Sequence, residues 1–290
     1  MIPLFPNGGR VMVEMAPCAQ EVVIRAQTPN SAYWCDVVRY RELFYFFAWR
    51  DILVRYKQAV LGIAWAVIRP LLNMLLFAFL FGRVAKLPSA DVPYALFVLA
   101  GMLPWQLYAF SSVETCNSLI NNSHMISRVY FPRIIMPLSQ IIVYLVDFFI
   151  GLLLLFLLIP FCGQLHWATS VFLPVFIALV VLLSAGTGLW LSALTVRYRD
   201  FRLIVPFFVQ FSMFLSPVGY GSFLIPEQWR YLYFLNPLVG IIDGFRWALF
   251  GLTYPQMTHS IACSLAITAL LFVSGLLYFR SVEQSLADHL

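Results

Sequence analysis

Long runs of apolar residues alternate with short polar segments along most of this chain. Six runs approach the length of about 20 residues that an α-helix needs to cross a bilayer, and they lie near residues 60–82, 93–113, 134–159, 171–195, 203–221 and 260–279. A further apolar stretch, 222–251, is interrupted by proline and glycine. The pattern predicts an all-α integral membrane protein with six transmembrane helices.

Composition leads to the same class of protein. Hydrophobic residues make up 62% of the 290 residues and charged residues only 11%, whereas an ordinary soluble domain has about 25% charged residues. The mean hydropathy is +0.85. Such a chain cannot cover its surface with polar groups, so we expect most of that surface to face lipid.

The distribution of basic residues predicts the orientation. An even number of spans places both termini on one side, and loops rich in arginine and lysine stay in the cytoplasm. With both termini inside, thirteen basic residues lie on the cytoplasmic side and four on the opposite side. The first 58 residues contain no apolar run typical of a signal peptide. We therefore expect both termini to be cytoplasmic.

The segment before the first span predicts an amphipathic helix, placed at residues 36–58. Its apolar positions Tyr40, Leu43, Phe44 and Phe47 recur at the spacing of one helix face, which is typical of a helix lying in the membrane interface. Two interpretations remain open at this point. The helix is a plain anchor, or it is a lever against a cytoplasmic partner.

Two further segments have distinctive patterns. Residues 114–133 mix polar and apolar positions, which predicts a short cytoplasmic helix or, alternatively, a solvated loop. In residues 222–251 the pair Asn236-Pro237 separates two apolar pieces, each half the length of a span. Pro226 favours the start of the first piece. We predict a re-entrant helical pair, which is tolerated at membrane depth when it packs on protein or lines a cavity. Its interfacial aromatic candidates are Trp229, Tyr233 and Trp247.

Common catalytic and metal-binding motifs are missing from the sequence. A Walker A loop requires a lysine in G-x-x-x-x-G-K-[ST], but the two lysines, Lys57 and Lys86, follow Tyr56 and Ala85. The five cysteines form no C-x-x-C pair and the four histidines no H-E-x-x-H helix, and no G-x-S-x-G elbow occurs. We expect no catalytic residue, metal or cofactor on this chain, and no nucleic-acid partner.

Two charges fall inside predicted spans. Arg69 lies about ten residues into the first span and Asp147 about thirteen into the third, so their depths agree within roughly 5 Å. An intramembrane charge suggests function by default. Arg69 and Asp147 form a buried ion pair, or Arg69 faces a conduit and meets an anionic substrate group. In the fourth span Ser184, Gly188 and Ser192 form a small-xxx-small stripe, which predicts close helix packing.

The order of these features resembles the permease subunits of type-2 ABC exporters that move O-antigen, capsule or teichoic-acid polysaccharides. The resemblance covers residues 47–280. It is carried by residues 49–70, AGMLPW at 100–105, ISRVYFPR at 126–133, TVRYRD at 195–200, LNPL at 235–238 and GFRW at 244–247. Arg69 departs from the uncharged polar residue expected at its position in the family.

The resemblance implies a homodimer in the bacterial inner membrane, with two copies of a separate subunit that binds ATP and magnesium. It divides the chain into a cytoplasmic extension (1–35), the interface helix (36–58), the transmembrane domain (59–282) and a cytoplasmic tail (283–290). The interface helix and a helix near 117–128 would contact the ATPase. The candidate coupling residues are Arg39, Arg50, Arg55, Asn121, His124, Arg128 and Arg133.

The implied substrate is a lipid-linked polysaccharide that moves from the cytoplasm through a conduit at the dimer interface, within surrounding membrane lipid. Aromatic rings offer a glycan an apolar face and a polar tip. By position, the conduit candidates are Trp65, Arg69, Trp105, Tyr108, Asp147 and Trp190, although interhelical packing is the plainer interpretation of each aromatic. A type-2 ABC exporter of a drug or lipid is the main alternative. A secondary transporter and an intramembrane enzyme are weaker ones.

Overall fold

The computed structural model describes residues 30–57, 64–89, 92–126, 128–129, 131–162 and 165–283. Every regular element among these residues is a helix. The α-helices are α1 (Asn30–Arg39), α2 (Arg41–Lys57), α3 (Ala64–Phe77), α4 (Tyr94–Asn121), α5 (Ser123–Ile126), α6 (Ile135–Cys162), α7 (Trp167–Ser170), α8 (Leu173–Arg197), α9 (Phe201–Leu215), α10 (Glu227–Tyr233), α11 (Pro237–Phe250) and α12 (Met257–Glu283). A π-helix, Ala78–Val84, continues α3, and a 3₁₀ turn, Ser222–Leu224, precedes α10.

Five helices in the described part of the chain are long and apolar enough to cross a membrane: α3 with its π-helical continuation, α4, α6, α8 and α12. These confirm a multi-pass membrane protein. The predicted span at 203–221 corresponds to α9, which has 15 residues and a length of about 22 Å. Helix α9 ends because Ser216 precedes Pro217 and adopts an extended backbone. Full-length crossing by six helices therefore stays a prediction.

Helix α4 lies at the centre of the bundle. It packs between α6 and α8, and α8 in turn packs along α12. The predicted small-residue stripe on α8 is confirmed, because Ser184, Gly188 and Ser192 are buried. A Cβ at Gly188 would lie 2.6 Å from the Thr115 Cγ2 atom on α4. Only a residue without a side chain permits this approach of the two helices.

The predicted helix between spans two and three differs in the structure. Helix α4 continues without a break to Asn121, and only the four residues of α5 follow as a separate helix. The polar residues that suggested a helix end are instead accommodated inside α4. The Asn117 side chain donates to the Val113 carbonyl at 3.0 Å, and Thr115 donates to the Pro137 carbonyl at 3.2 Å. Because these groups have partners, the helix does not need to end near residue 113.

The predicted N-terminal helix is present as two pieces, α1 and α2, that meet at Tyr40. Its apolar stripe contacts protein rather than solvent. Phe47 is buried beside Phe131, with ring centroids 5.6 Å apart, and both belong to a cluster that includes Phe279 of α12. Aromatic residues on other faces of α2, such as Trp49, are exposed. Residues 1–29 and 58, which fall in the predicted extension and helix, lie outside the described residues.

The break at Asn236-Pro237 is confirmed. The Asn236 side chain accepts a hydrogen bond from the Leu238 backbone amide at 3.1 Å and so caps α11. The first helix of the pair is shorter than predicted, with seven residues in α10 against 14 in α11. Helix α11 is buried on nearly all sides by α4, α8 and α12. It forms part of the core, whereas α10 remains on the surface.

Candidate functional site: a charged cavity beside the interface helix

A cavity of about 290 Å³ opens where the end of α2 meets α3, α4 and α6. We call it the α2–α6 cavity. It contains three charged side chains and several polar and aromatic ones, whereas most of the surrounding bundle is apolar. The lining residues that matter most are Arg55, Tyr56, Trp65, Arg69, Gln106 and Asp147. The cavity thus joins one residue predicted for ATPase coupling, Arg55, to residues predicted for a conduit.

Asp147 on α6 pairs with Arg55, not with Arg69. The Arg55 Nη2 atom lies 2.5 Å from Asp147 Oδ2, and the Tyr56 hydroxyl donates to Asp147 Oδ1. Of the two alternatives drawn from the sequence, the Arg69–Asp147 ion pair is therefore wrong, and Arg69 facing a conduit stays a prediction. Equal depth along two helices was a necessary condition for pairing, but α2 brings a closer cation to the carboxylate.

The Arg55 cluster is further held by aromatic and phenolic groups. The Arg55 guanidinium carbon lies 4.5 Å from the centroid of the Tyr144 ring on α6, a favourable cation–π distance. Burial raises the pKa of Tyr56, and the hydrogen bond to the Asp147 carboxylate raises this pKa further. The Tyr56 hydroxyl therefore stays protonated and serves as a donor at physiological pH.

Arg69 occupies the same cavity in a different way. Its side chain is exposed, and its guanidinium carbon lies 5.6 Å from the centroid of the Phe110 ring on α4. No ion pair of Arg69 occurs among the residues that the structure describes. A cation at this position is available to a ligand that enters the cavity.

The four aromatic conduit candidates separate into two groups. Trp65 is exposed at the α2–α6 cavity, and Tyr108 lines a second, mainly apolar cavity of about 640 Å³ near α10. Trp105 is buried, with its Nε1 atom 3.4 Å from Ser212 Oγ. Trp190 stacks on Tyr278 of α12 at 4.2 Å between centroids. The structure therefore uses Trp105 and Trp190 for interhelical packing within the protomer.

Several predicted coupling residues connect α2 to the bundle. Arg50 pairs with its neighbour Asp51 at 2.7 Å and donates to Asn122 Oδ1 at 3.1 Å, just after α4. Asp51 also accepts a hydrogen bond of 2.6 Å from Gln140 on α6. These contacts, together with Arg55–Asp147, attach α2 at several points along its length.

The remaining coupling candidates differ in accessibility. Arg39, His124 and Arg128 are exposed. Asn121 is exposed and accepts a hydrogen bond from Arg202 at 3.4 Å. Arg133 is instead tied to the end of α12, because its backbone amide donates to Glu283 Oε1 at 2.9 Å and its guanidinium to the Glu283 carbonyl at 2.8 Å.

The aromatic residues predicted for the re-entrant pair are placed apart. Trp229 on α10 is exposed. The Tyr233 hydroxyl donates to the Tyr220 hydroxyl at 3.1 Å. Trp247 on α11 packs against Phe172, with centroids 5.4 Å apart. Of these three residues, Trp229 is exposed, whereas Tyr233 and Trp247 are half-buried.

Sequence reasoning missed the role of Arg246, which is completely buried on α11. Its guanidinium donates to the carbonyls of Val218 at 2.8 Å, Phe97 at 3.1 Å and Tyr220 at 3.2 Å. The guanidinium carbon also lies 3.6 Å from the Phe97 ring centroid. An arginine within α11, a helix whose other charged residue is Asp243, was the available signal, but counting this arginine as a loop charge concealed it.

Comparison with known proteins identifies the family. The model of the ABC-2 type transporter family matches residues 42–250, a range that contains the α2–α6 cavity and α11. The chain belongs to the ABC-2 type transporter family. The family membership predicted from the sequence motifs is thereby confirmed.

Curated relatives align along most of their length. The chain is 28% identical over 242 residues to an O-antigen export system permease protein, RfbA, of Klebsiella pneumoniae, covering 82% of this chain and 91% of that protein. It is 26% identical to RfbA of Myxococcus xanthus, covering 87% and 97%. It is 24% identical to the polysialic acid transport protein KpsM of Escherichia coli, covering 82% and 92%.

Proposed function

We propose that this chain is the transmembrane subunit of an ATP-driven exporter that moves a lipid-linked polysaccharide out of the cytoplasm across a bacterial inner membrane. The named relatives export O-antigen or transport polysialic acid, which are both polysaccharides. The chain matches those relatives over more than nine-tenths of their length. The proposal extends their substrate class to this protein.

One observation carries the mechanism: the interface helix supplies a wall of the cavity. Arg55 and Tyr56 of α2 line the α2–α6 cavity, and Arg50 and Asp51 attach the same helix to the end of α4 and to α6. A displacement of α2 by a cytoplasmic partner would therefore move the cavity wall directly. Nucleotide binding by the partner would bias such a two-state element by its different affinity for the two states.

The separate ATPase subunit would dock on exposed cytoplasmic residues. Arg39 ends α1, His124 lies in α5, and Arg128 follows α5, and all three are exposed. Their polar side chains suit a polar, separable interface. Arg133 would act behind this surface, since it links the segment before α6 to the end of α12.

The homodimer would form through apolar faces that the single protomer leaves open. Helix α9 exposes Leu203, Phe207, Phe208 and Phe214, and α3 is scarcely buried by the rest of the chain. Such surfaces face either lipid or a second subunit. We propose that α9 completes the sixth crossing within the dimer, that both termini are cytoplasmic, and that α10 and α11 form the re-entrant pair.

Depletion of the protein in its source cell tests this function. We expect surface polysaccharide to fall while lipid-linked glycan accumulates inside, because synthesis continues without export. Cells complemented with the native chain serve as the control and should restore both pools. Unchanged glycan on both sides would contradict polysaccharide export and favour a lipid or drug substrate.

A further inference from the structure

The α2–α6 cavity carries an unbalanced positive charge. Its charged lining residues are Arg55, Arg69 and Asp147, and Asp147 is occupied by Arg55 and Tyr56. Glu114, one turn beyond Phe110 on α4, lies outside the lining of the cavity. The acidic lining residue of the cavity is thus held by Arg55 and Tyr56, and the charge of Arg69 is left for another group.

An arginine among membrane helices is costly unless it meets water, a counter-charge or backbone carbonyls. Arg69 makes a cation–π contact with Phe110 at 5.6 Å, and it has no ion pair among the described residues. Its planar guanidinium is suited to bidentate contact with phosphate oxygens. An anionic ligand would supply the counter-charge that the described residues do not provide to Arg69.

The dimensions and walls of the cavity restrict the kind of anion. At about 290 Å³ the cavity is far larger than a single ion requires, since one water occupies about 30 Å³ in the liquid. Trp65 and Phe110 provide aromatic surface, while Tyr56 and Gln106 provide polar groups. This combination suits a phosphate ester whose substituent is a sugar or an apolar chain.

We propose that Arg69 binds the phosphate or diphosphate group of an amphiphile in the α2–α6 cavity. The identification of that amphiphile as the exported substrate, through the linker between lipid and glycan, rests on the proposed function. The same chemistry is offered by the headgroup of an anionic bilayer lipid. Binding measured in bilayers of neutral and of anionic lipid distinguishes the two sources.

The test measures binding of farnesyl diphosphate to the full-length protein in phosphatidylcholine nanodiscs. Charge-assisted hydrogen bonds to phosphate are among the strongest polar contacts. We therefore expect Arg69→Gln to weaken binding by about ten- to one-hundred-fold, and Arg69→Lys, which keeps the charge, to weaken it less. Farnesol, which lacks the diphosphate, should bind the native protein and Arg69→Gln equally.

Arg83→Gln is the matched control, because Arg83 is an exposed arginine on the π-helical continuation of α3 and does not line the cavity. This variant should bind farnesyl diphosphate like the native protein. Native-level binding by Arg69→Gln, or equal loss in both variants, would overturn the site. Elution of each variant as a single symmetric species excludes a folding defect as the cause.

Repeating the titration in phosphatidylglycerol nanodiscs identifies the source. If binding to the native protein persists, the site prefers the diphosphate and supports a substrate linker. If phosphatidylglycerol abolishes the binding of farnesyl diphosphate, the lipid headgroup competes for the same site. That result supports the phosphate site and identifies a bilayer headgroup as its occupant. The binding assay does not depend on export. If depletion left the glycan pools unchanged, polysaccharide export would be contradicted, but the measured binding at Arg69 would still stand.

Discussion

Two arginines in this protein lie among membrane helices in opposite environments. Arg246 is fully enclosed and donates to three backbone carbonyls, with Asp243 one turn earlier on the same helix. Arg69 is exposed at a cavity and contacts one aromatic ring. The hydrogen-bond donors of Arg246 are largely used within the fold. Those of Arg69 have no such partners among the described residues.

The difference separates a structural charge from one that is available for binding. Arg246 joins α11 to α4 and to the segment after α9, because Phe97 lies on α4 and Val218 and Tyr220 lie in that segment. Such a contact stabilises one arrangement of three chain segments. Among the residues that the structure describes, Arg69 makes one cation–π contact and no ion pair, so its replacement should affect ligand binding more than folding.

The largest expected effect comes from Arg246→Met. Three carbonyls, two of them in fully buried contacts, would lose the guanidinium donor. Each loss at a buried group costs about 1–3 kcal/mol, so we expect little folded protein. Fluorescence-detected size-exclusion chromatography in detergent measures the folded fraction. Arg246→Lys retains a positive charge with fewer fixed donors, so its folded fraction should lie between those of the native protein and Arg246→Met. A native-like profile for Arg246→Met would show that the carbonyl contacts are dispensable.

Gly101→Ala should produce the next largest loss. The added Cβ would lie 2.5 Å from the Arg246 Nη2 atom and 3.1 Å from the Val218 carbonyl oxygen, so crowding should cost about 1–3 kcal/mol. The loss is measured as a lower midpoint of thermal unfolding. It should be smaller in the Arg246→Lys background, where the crowded guanidinium is missing. Equal losses in both backgrounds would argue against the contact.

Asp147→Asn should destabilise less, because its partners are only partly buried. The Arg55 charge would lose its closest counter-charge, while Tyr56 would retain an acceptor, so we expect a loss of about 1–2 kcal/mol. Tyr56→Phe, which removes one hydrogen bond, is the milder control. Thermal unfolding in detergent compares the two variants. A larger loss for Tyr56→Phe than for Asp147→Asn would contradict this order.

Arg69→Gln should produce the smallest change in stability, within about 0.5 kcal/mol, as is usual for exposed positions without fixed partners. The same thermal assay, without added ligand, compares it with Arg83→Gln. Destabilisation of Arg69→Gln to the level of Asp147→Asn would show that Arg69 has a structural role. The comparison between Arg69 and Arg246 would then no longer hold.

Several parts of the fold were accessible from local patterns. The stripe of Tyr40, Leu43, Phe44 and Phe47 predicted a helix face because burial repeats with the helical period. Asn236-Pro237 predicted a helix start because the asparagine caps it and proline fits the first turn. These features depend on neighbours within a few residues. The predicted end of α4 was wrong because two polar side chains find hydrogen-bond acceptors within the bundle. Asn117 donates to a carbonyl one turn earlier in α4, and Thr115 donates to the carbonyl of Pro137, which is distant in sequence.

Length, hydropathy and motif order are properties of the chain alone, and they were enough to predict the membrane class, most of the long helices and the family. Which charges meet depends instead on how the helices pack. Asp147 pairs with Arg55, Glu283 meets Arg133, and Arg246 reaches Phe97. The physical reason is that an ion pair depends on how each helix is rotated about its axis and which helix packs beside it. Depth along a span constrains neither.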